Sequence, residues 1–313
     1  MKKLLLLTMV ALFTIATANV FGQSTGAAPS IGATHKYWVN GTDIGAITTG
    51  KEGGKYTWYI SDGSNNLNDA IANNGDFSVA SGYNTETTDL NGVSVKWNPT
   101  SAGKTYYLVV KENGENNNLC INAKAYAIQP LNRFTVTFAA LAGNEASAVG
   151  NNLDRCAPDI VMSASGTTIT YDYKGGDYIY KITANGLYTK WTLDYLFAIV
   201  KGNATQNIEY SLNGGTTYAT FAANGSDFEI PANAAGTQTV FVKVKLTNGT
   251  TAGTYEEGLA AQTIKLTLSD IKDEGGNAVT KVFTSDGTTE FSGAAEQTQT
   301  VKARPATTGI QSN

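Results

Sequence analysis

Oxygen-bearing side chains cluster in the segment SDGSNNLND, residues 61–69. Four of them are spaced so that they could face one cation: Asp62, Ser64, Asn66 and Asp69. Carboxylate, amide and hydroxyl oxygens are the ligands that Ca²⁺ takes in proteins. An EF-hand loop needs glycine at its sixth position, where this segment has Leu67. The segment is therefore a candidate calcium site, and a polar hairpin loop is the alternative.

Aromatic residues suggest a second chemistry, the stacking of sugar rings. Trp38 and Trp191 have polar neighbours in KYWVNG and YTKWTLD, whereas Trp58 and Trp97 alternate with apolar residues. An indole offers a broad apolar face with one polar edge. We predict that Trp58 and Trp97 face the core, and that Trp38 and Trp191 are candidate carbohydrate ligands, with a packed core as the alternative for them too.

Catalytic groups are scarce. The chain has one histidine, His35, which any Ser-His-Asp or Cys-His mechanism would have to use. Zinc sites need several Cys or His ligands, and no G-x-x-x-x-G-K-[ST] phosphate loop occurs. Glycosidases need only two carboxylates, but no pair stands out among the 26 acidic residues. We predict no catalytic residue, no enzymatic activity and no cofactor other than calcium.

The two cysteines, Cys120 and Cys156, leave two alternatives open. Exported proteins meet oxidising conditions, in which a disulfide between them would persist. Otherwise they are two buried thiols in separate modules, and the sequence does not decide between these states.

Period-two alternation and turn residues dominate the chain, and helical periodicity is absent beyond the N-terminus. Strands are predicted at 56–63, 92–99, 104–114, 133–138, 167–173, 178–183, 193–200, 208–212, 237–246, 263–268 and 279–283. On the second of these, Val93, Val95 and Trp97 share one face. The run YLFAIV, 195–200, is apolar at every position, which predicts a strand buried on both faces.

Short strands at this spacing predict an all-β fold of two tandem immunoglobulin-like β-sandwich modules after a cleaved signal peptide. The segment QPLN separates the modules, and the second is long enough to need extra strands or long loops. The predicted organisation is a signal peptide at 1–22, an N-terminal extension at 23–28, sandwiches at 29–129 and 133–305, and a tail at 306–313.

The N-terminus has the composition of a signal peptide. Lys2 and Lys3 precede an apolar run at 4–16, followed by an A-x-A pattern ending at Ala18. Cleavage between Gly22 and Gln23 is the second option. The apolar run is shorter than the roughly 20 residues of a membrane-spanning helix. We therefore predict export, to the cell surface or the medium, without membrane insertion after cleavage.

The charge balance restricts the partners. The net charge is −4 and only 15% of residues are charged, against about 25% in typical domains. Nucleic acids and anionic membranes both require basic patches, so neither is predicted as a partner. Thr, Ser, Asn and Gly replace charges on the surface, a composition found in secreted β-proteins and in proteins that pack against one another.

One segment of the first module carries a family likeness. VKWNPTSAGKTYYLVVKENGENNNLC resembles the Ig/PKD-like modules of exported Bacteroidetes surface proteins, in which a Trp-bearing strand precedes an A-G-x-Y-x-L-x-V strand and a turn closing at Cys. The matching residues are Trp97, Ala102, Gly103, Tyr106, Leu108, Val110 and Cys120. Lys104 and Thr105 lengthen the turn relative to that pattern.

The second module resembles another sandwich type of the same proteins through RCAPDI, TYEEGLAAQTIKLTL and KARPATTGIQSN. The resemblance implies a secreted or cell-surface location, often through type IX secretion. No C-terminal sorting domain follows Arg304 and Pro305, so ordinary export to the periplasm or surface remains an alternative.

These observations favour a non-enzymatic structural or assembly protein of the cell exterior, such as a filament, sheath or surface-layer subunit. Its partners would be other copies or other surface proteins. Strand addition by a terminal segment, either 23–34 or the C-terminal tail, is the predicted mechanism. An adhesin or carbohydrate-binding module is the main alternative, and an accessory or cryptic hydrolase is the third.

Overall fold

The computed structural model describes residues 26–47, 54–73, 75–113, 121–147, 149–157, 159–202, 204–248 and 261–304. The predicted signal peptide, the tail at 306–313 and Cys120 lie outside the described residues. The chain divides into two compact units, Met1–Arg133 with Gly186–Tyr188, and Phe134–Asn185 with Thr189–Asn313. The predicted module boundary at 129–132 lies next to this division.

The first unit contains nine strands and one short 3₁₀ helix in its described part. The strands are β1 Thr34–Trp38, β2 Gly41–Asp43, β3 Ala46–Ile47, β4 Lys55–Ser61, β5 Phe77–Val79, β6 Glu86–Thr88, β7 Gly92–Trp97, β8 Tyr106–Asn113 and β9 Ile121–Ile128. The 3₁₀ helix, Pro99–Ser101, begins at a proline, whose fixed φ suits a first helical position. It carries the chain from β7 to β8.

Two antiparallel sheets of the first unit face each other, in the orders β1-β7-β5 and β6-β4-β8-β9. Alternate residues of β4, β7 and β8 point inward into one shared core. Val93, Val95 and Trp97 are all buried on one face of β7, as their spacing predicts, and so is Trp58 on β4. This arrangement confirms the predicted immunoglobulin-like sandwich.

Residues 26–33 belong to the first unit. The backbone N–H of Gln129 donates to the carbonyl of Ala27 (2.8 Å) and that of Leu131 to Pro29 (2.9 Å). The side chains of Ile31 and Ala33 are buried. The prediction that the whole segment 23–34 is available to a neighbouring molecule is therefore corrected, because its described part pairs with residues 129–131 of its own unit.

A carboxylate at the edge of the first core makes stability depend on pH. Asp76 accepts hydrogen bonds from Tyr106 Oη (2.7 Å) and Lys104 Nζ (2.9 Å). Burial alone would raise the pKa of Asp76, but these hydrogen bonds outweigh it and lower the pKa. A lowered folded-state pKa stabilises the fold above the unfolded pKa of about 3.9, and the stabilisation is lost as the pH falls through the folded pKa.

We expect Asp76→Asn to unfold at lower urea concentration than the wild type at pH 7. The difference should shrink as the pH falls below about 4, where the wild-type carboxylate becomes protonated. Urea titrations across pH 2–7, with the exposed Asp159→Asn as the control, measure it. A difference that stays constant across this range would contradict the assignment.

The second unit contains fourteen strands in its described part. They are β10 Thr135–Leu141, β11 Val149–Gly150, β12 Leu153–Cys156, β13 Val161–Ser165, β14 Thr168–Asp172, β15 Gly176–Asn185, β16 Trp191–Val200, β17 Thr205–Ser211, β18 Ala219–Thr220, β19 Asn224–Ile230, β20 Thr237–Thr247, β21 Gln262–Asp273, β22 Lys281–Phe283 and β23 Ala295–Lys302. The count agrees with the expectation of extra strands in a long second module.

Two larger sheets form the body of the second unit. One has the order β11-β10-β15-β20-β17-β18, with β22 parallel to β10, and the other has the order β12-β23-β21-β16-β19. Tyr180 on β15 reaches across to β21, where its hydroxyl donates to the carbonyl of Ile264 (2.7 Å). Its ring lies 6.4 Å from that of Phe197 on β16. The two sheets therefore enclose a second core.

The run YLFAIV forms part of β16, but its predicted burial on both faces is wrong. Tyr195 and Phe197 are buried, whereas Leu196 and Val200 are 54% and 63% exposed. Since β16 lies between β21 and β19 in one sheet, only its inner face meets the second core. The outer face keeps its apolar side chains without cover from the described part of the unit.

Candidate functional site

An open groove lies along one side of the first sandwich. Its two walls are the edge strands of the two sheets, β1 and β9. Its floor is the sandwich core itself, through Trp58 on β4 and Leu108 and Val110 on β8. The groove has a volume of about 350 Å³, which is in the range of small ligand sites.

Aromatic side chains form much of the groove walls. Tyr37 and Trp38 belong to the β1 wall and Tyr126 to the β9 wall. The rings of Tyr37 and Tyr126 lie 6.3 Å apart and tilted by 54°. Trp38 is 43% exposed and Tyr126 is 46% exposed. The groove therefore presents accessible aromatic faces next to buried apolar atoms.

Hydrogen bonds fix the deeper aromatic residues. The hydroxyl of Tyr37 donates to the carbonyl of Gly26 (3.0 Å) and accepts from Trp97 Nε1 (3.2 Å). Burial raises the pKa of Tyr37 to about 12, so its phenol stays neutral at physiological pH. Trp58 Nε1 donates to the carbonyl of Leu90 (3.0 Å). These residues give the groove a rigid floor and an uncharged inner wall.

The rim of the groove carries two lysines. Lys36 pairs with Asp43 across 3.2 Å, and both side chains are exposed; Lys124 lies on β9. Within the described residues, β9 pairs with β8 alone over residues 121–128. Its outer edge is therefore a row of main-chain groups open to pairing with another strand.

The two predicted carbohydrate ligands have opposite environments. Trp38 lies in the groove wall, exposed, with its Nε1 donating to the carbonyl of Gly41 (3.1 Å). Trp191 is fully buried, donates to Gln238 Oε1 (2.7 Å) and packs edge-on against Phe134. Trp191 has no face on which a ligand could stack, and the prediction for this residue is corrected. Lys190 and Thr192, directly on either side of it, are only half-buried, because successive residues of a strand point to opposite faces.

The predicted calcium ligands bond to their own loop. Asp62 Oδ1 accepts from the backbone N–H of Ser64 (2.9 Å), and Asn66 Oδ1 accepts from that of Asn68 (2.7 Å). The amide of Asn66 donates to Asp69 Oδ2 (3.0 Å). The oxygens thus close turns within the loop, as in the polar-loop alternative. Calcium at these four residues stays a prediction.

The sequence also suggests a calcium option in the acidic turn SDIKDEGGN, with Asp270, but not the cluster to which Asp270 belongs in the structure. Asp194, Asp227 and Asp270 bring carboxylate oxygens within 4.8 Å of one another. Asp194 lies at a register irregularity of β16, and it alternates with the buried residues Leu193 and Tyr195, so its side chain is on the outer face. Lys272 Nζ pairs with Asp227 and Asp270, at 3.3 and 2.7 Å. The lysine already neutralises part of this charge, and the residues come from three separated strands, which no local motif reveals.

The remaining reactive side chains, Cys156 and His35, belong to different units. Cys156 is an exposed free thiol, and its predicted partner Cys120 lies outside the described residues. His35 is half-buried on β1 beside Tyr37, with ring centroids 6.5 Å apart, and burial lowers its pKa. Among the helices of the described residues, none has the length and hydropathy needed to cross a bilayer.

No protein-family model and no curated protein matches the chain. Among solved structures it is similar, at 10% identity and a TM-score of 0.22, to the secreted serine protease VesC from Vibrio cholerae, over 79% of this chain and 48% of the protease. The C-terminal domain of the Streptococcus agalactiae AgI/II polypeptide BspA is 10% identical over 82% of this chain and 94% of that domain, with a TM-score of 0.23. The CupB6 tip adhesin from Pseudomonas aeruginosa is 7% identical over 91% of this chain and 95% of the adhesin, with a TM-score of 0.27. At these TM-scores the likenesses carry no information on function.

Proposed function

We propose that this protein is a non-enzymatic structural component of the cell exterior that assembles by accepting an extended segment of a neighbouring copy in the groove of its first unit. The observation that carries the proposal is the open side of that sandwich. There, the core residues Trp58, Leu108 and Val110 form a floor between β1 and β9, each of which ends its sheet within the described residues.

An extended segment suits both features of the groove. Its main chain would pair with the outer edge of β9, supplying hydrogen bonds that the edge otherwise makes with water. Its alternate side chains would enter the groove and cover the apolar floor. One added strand would therefore complete the sandwich on its open side.

The donor that we propose is the C-terminal tail, residues 305–313 (PATTGIQSN). Residues 26–33 are excluded as a donor because they pair with residues 129–131 of their own unit. Nine extended residues reach about 30 Å, enough to follow β9 along its length. Ile310 would provide a large apolar side chain for the floor, with Ala306 and Thr308 on the same face.

Sedimentation velocity and negative-stain electron microscopy of residues 23–313 over a range of concentrations test the proposal. We expect ordered, open-ended assemblies of the wild type. Deleting 305–313, or combining Trp38→Ala with Tyr126→Ala, should raise the concentration required for assembly at least about tenfold, equivalent to about 1.4 kcal/mol. Ile121→Ala, an exposed apolar residue on the same strand outside the groove, is the matched control and should assemble normally.

Two results would overturn the proposal: a wild type that stays monomeric at every concentration, or assembly that survives both the deletion and the groove substitutions. Circular dichroism spectra of each variant establish that the sheets are retained.

The exposed faces of Trp38 and Tyr126 favour a second candidate function, carbohydrate binding in the same groove. Two aromatic faces on opposite walls are suited to stacking on a sugar ring. A glycan array separates the candidates. Glycan binding that is lost in the Trp38→Ala and Tyr126→Ala variant but retained after deletion of 305–313 would support this second function.

A further inference from the structure

We propose that the hairpin β13–β14 in the second unit is the contact surface of a two-fold homodimer, in which β14 pairs antiparallel with β14 of a second copy about Thr170. This surface shares no residue with the groove of the first unit. The proposal rests on the faces, the edges and the anchoring of the hairpin.

The hairpin register sorts its side chains into an apolar and a polar face. Gly166 has φ of 61° in a two-residue turn, a conformation that glycine adopts without strain. That turn pairs Met162 with Tyr171 and Ala164 with Ile169 on one face. Val161 with Asp172, Ser163 with Thr170 and Ser165 with Thr168 lie on the other face, which is polar apart from Val161. The hairpin is therefore amphipathic.

The apolar face is uncovered within the described part of the chain. Met162 is 68% exposed, Ile169 58% and Tyr171 39%. The two strands form a sheet of their own, separate from both larger sheets of the unit. A lone two-stranded hairpin is marginally stable in water, so an exposed apolar face at this position favours an additional partner.

The base of the hairpin is firmly held, which makes its exposure a property of the fold. The buried amide of Asn248 donates to the carbonyls of Tyr173 (3.3 Å) and Lys174 (2.6 Å). Arg304 Nη2 donates to the same Tyr173 carbonyl (3.1 Å), and the rings of Tyr171 and Tyr173 stack at 6.1 Å. The strands thus project from an anchored base.

The hairpin also lacks the usual protection of strand edges. Natural edge strands carry lysines, prolines or bulges that prevent pairing with other chains. Residues 160–171 (IVMSASGTTITY) contain no charged residue and no proline, and their ladder has no bulge. The one charged residue of the two strands is Asp172 at the end of β14, which pairs with Lys174. The absence of basic residues makes nucleic acid an unsuitable partner. A second copy of the same uncharged segment meets no like charge.

Strand β14 is the better self-pairing edge. It contains Ile169, Thr170 and Tyr171, which have high β-propensity, whereas β13 consists of Val, Met, Ser and Ala. Pairing about Thr170 places Ile169 opposite Tyr171 of the second copy, an aromatic–β-branched pair that is favourable in sheets. Asp172 then faces Thr168 of the second copy, so the two Asp172 carboxylates stay apart. The four strands form one sheet with a continuous apolar face.

Cysteine crosslinking tests this register directly. In the full mature chain with Cys120→Ser and Cys156→Ser, Thr170→Cys places two thiols on directly opposed residues. Their Cα atoms would be about 5 Å apart, within disulfide range. We expect a covalent dimer on mild oxidation. Ser163→Cys lies on the same face of the inner strand, roughly 14 Å from its counterpart across three strand spacings, and should stay monomeric.

A second pair of variants measures how much the apolar face contributes to dimerisation. Ile169→Glu should raise the dimer dissociation constant at least about tenfold, because its carboxylate would be desolvated against Tyr171 of the second copy. Ser163→Glu, on the polar face, should leave it unchanged. Both are compared by sedimentation velocity, with circular dichroism to verify folding.

The proposal would be overturned if Thr170→Cys did not crosslink, or if Thr170→Cys and Ser163→Cys crosslinked equally. A dimer dissociation constant that Ile169→Glu leaves unchanged would overturn it as well. Binding to phosphatidylcholine vesicles without crosslinking would assign the hairpin to a membrane surface instead. Repeating the Thr170→Cys experiment with Trp38→Ala and Tyr126→Ala present separates the two surfaces. The covalent dimer should persist even when assembly through the groove is lost.

Discussion

Replacing Trp97 with alanine is expected to lower the free energy of unfolding of the first unit by about 3–5 kcal/mol. The indole is fully buried at the centre of that core. Its ring lies 5.1 Å from Tyr106 and 6.0 Å from Phe77. Truncation removes this packing and leaves a cavity that rigid sheets on both sides cannot close.

Differential scanning calorimetry of the full chain measures this loss. A loss of this size should lower the melting temperature of a unit of about 100 residues by more than about 10 °C. A shift below about 3 °C would show that Trp97 is not packed as described. Because Trp97 Nε1 also holds the hydroxyl of Tyr37 in the groove wall, Trp97→Phe is the informative control. Phenylalanine keeps one ring in the core and removes the other ring together with the hydrogen bond, so the loss should be clearly smaller than for alanine.

The second large effect is expected in the second unit, where replacing both Gln297 and Gln299 with leucine should cost about 3–5 kcal/mol. Both side chains are fully buried on β23. Gln297 Nε2 donates to the carbonyl of Phe138 on β10 (3.0 Å), and Gln299 Nε2 donates to that of Ile179 on β15 (2.8 Å). These bonds join the two sheets across the core.

Leucine fills a similar volume but removes every hydrogen bond of the two glutamines, including those of Gln297 with Asn151 Oδ1 (2.8 Å) and with the backbone N–H of Asn152 (3.0 Å). Arg155 Nη2, which donates to Gln299 Oε1 (2.8 Å), would lose a partner as well. Each buried hydrogen bond that is lost costs about 1 kcal/mol. Urea titration measures the total loss in the free energy of unfolding. The control is Gln206→Leu, at an exposed position on β17, which should change stability by less than about 0.5 kcal/mol. A double variant as stable as the wild type would show that the sheets are joined by packing alone.

Strands whose inward residues are apolar were predictable from the sequence. The strands at 55–61, 92–97, 106–113 and 237–247 all lie within two residues of their predicted bounds. Successive side chains of a strand point to opposite sides. The buried face of β7 is therefore predicted by the alternation of Val93, Val95 and Trp97 with polar residues. The same reasoning placed Trp58 and Trp97 in the core.

Strands whose inward or outward residues break that pattern were missed or misjudged. β23 buries Gln297 and Gln299 where alternation would require apolar residues, so no strand was predicted there. β9 is exposed along almost its whole length, and three of the four residues in its alternating apolar row are alanines, which give only a weak signal. β16 is apolar on both faces but covered on one. In each case the deciding factor is the neighbouring sheet, which local sequence does not record.

The groove likewise combines residues that the sequence predicts with residues that only the fold brings together. Trp38 was a predicted ligand residue because of its polar neighbours, and the structure places it in the groove wall, but the same criterion failed for Trp191. The wall opposite Trp38 comes from Tyr126 and the floor from Trp58 and Leu108, residues far apart in the chain. The sequence by itself determined the all-β class and the cores, because burial imposes a period of two on each strand. Only the tertiary structure decided which strand edges stay open and which aromatic rings meet there, since those depend on how the strands are ordered in the sheets.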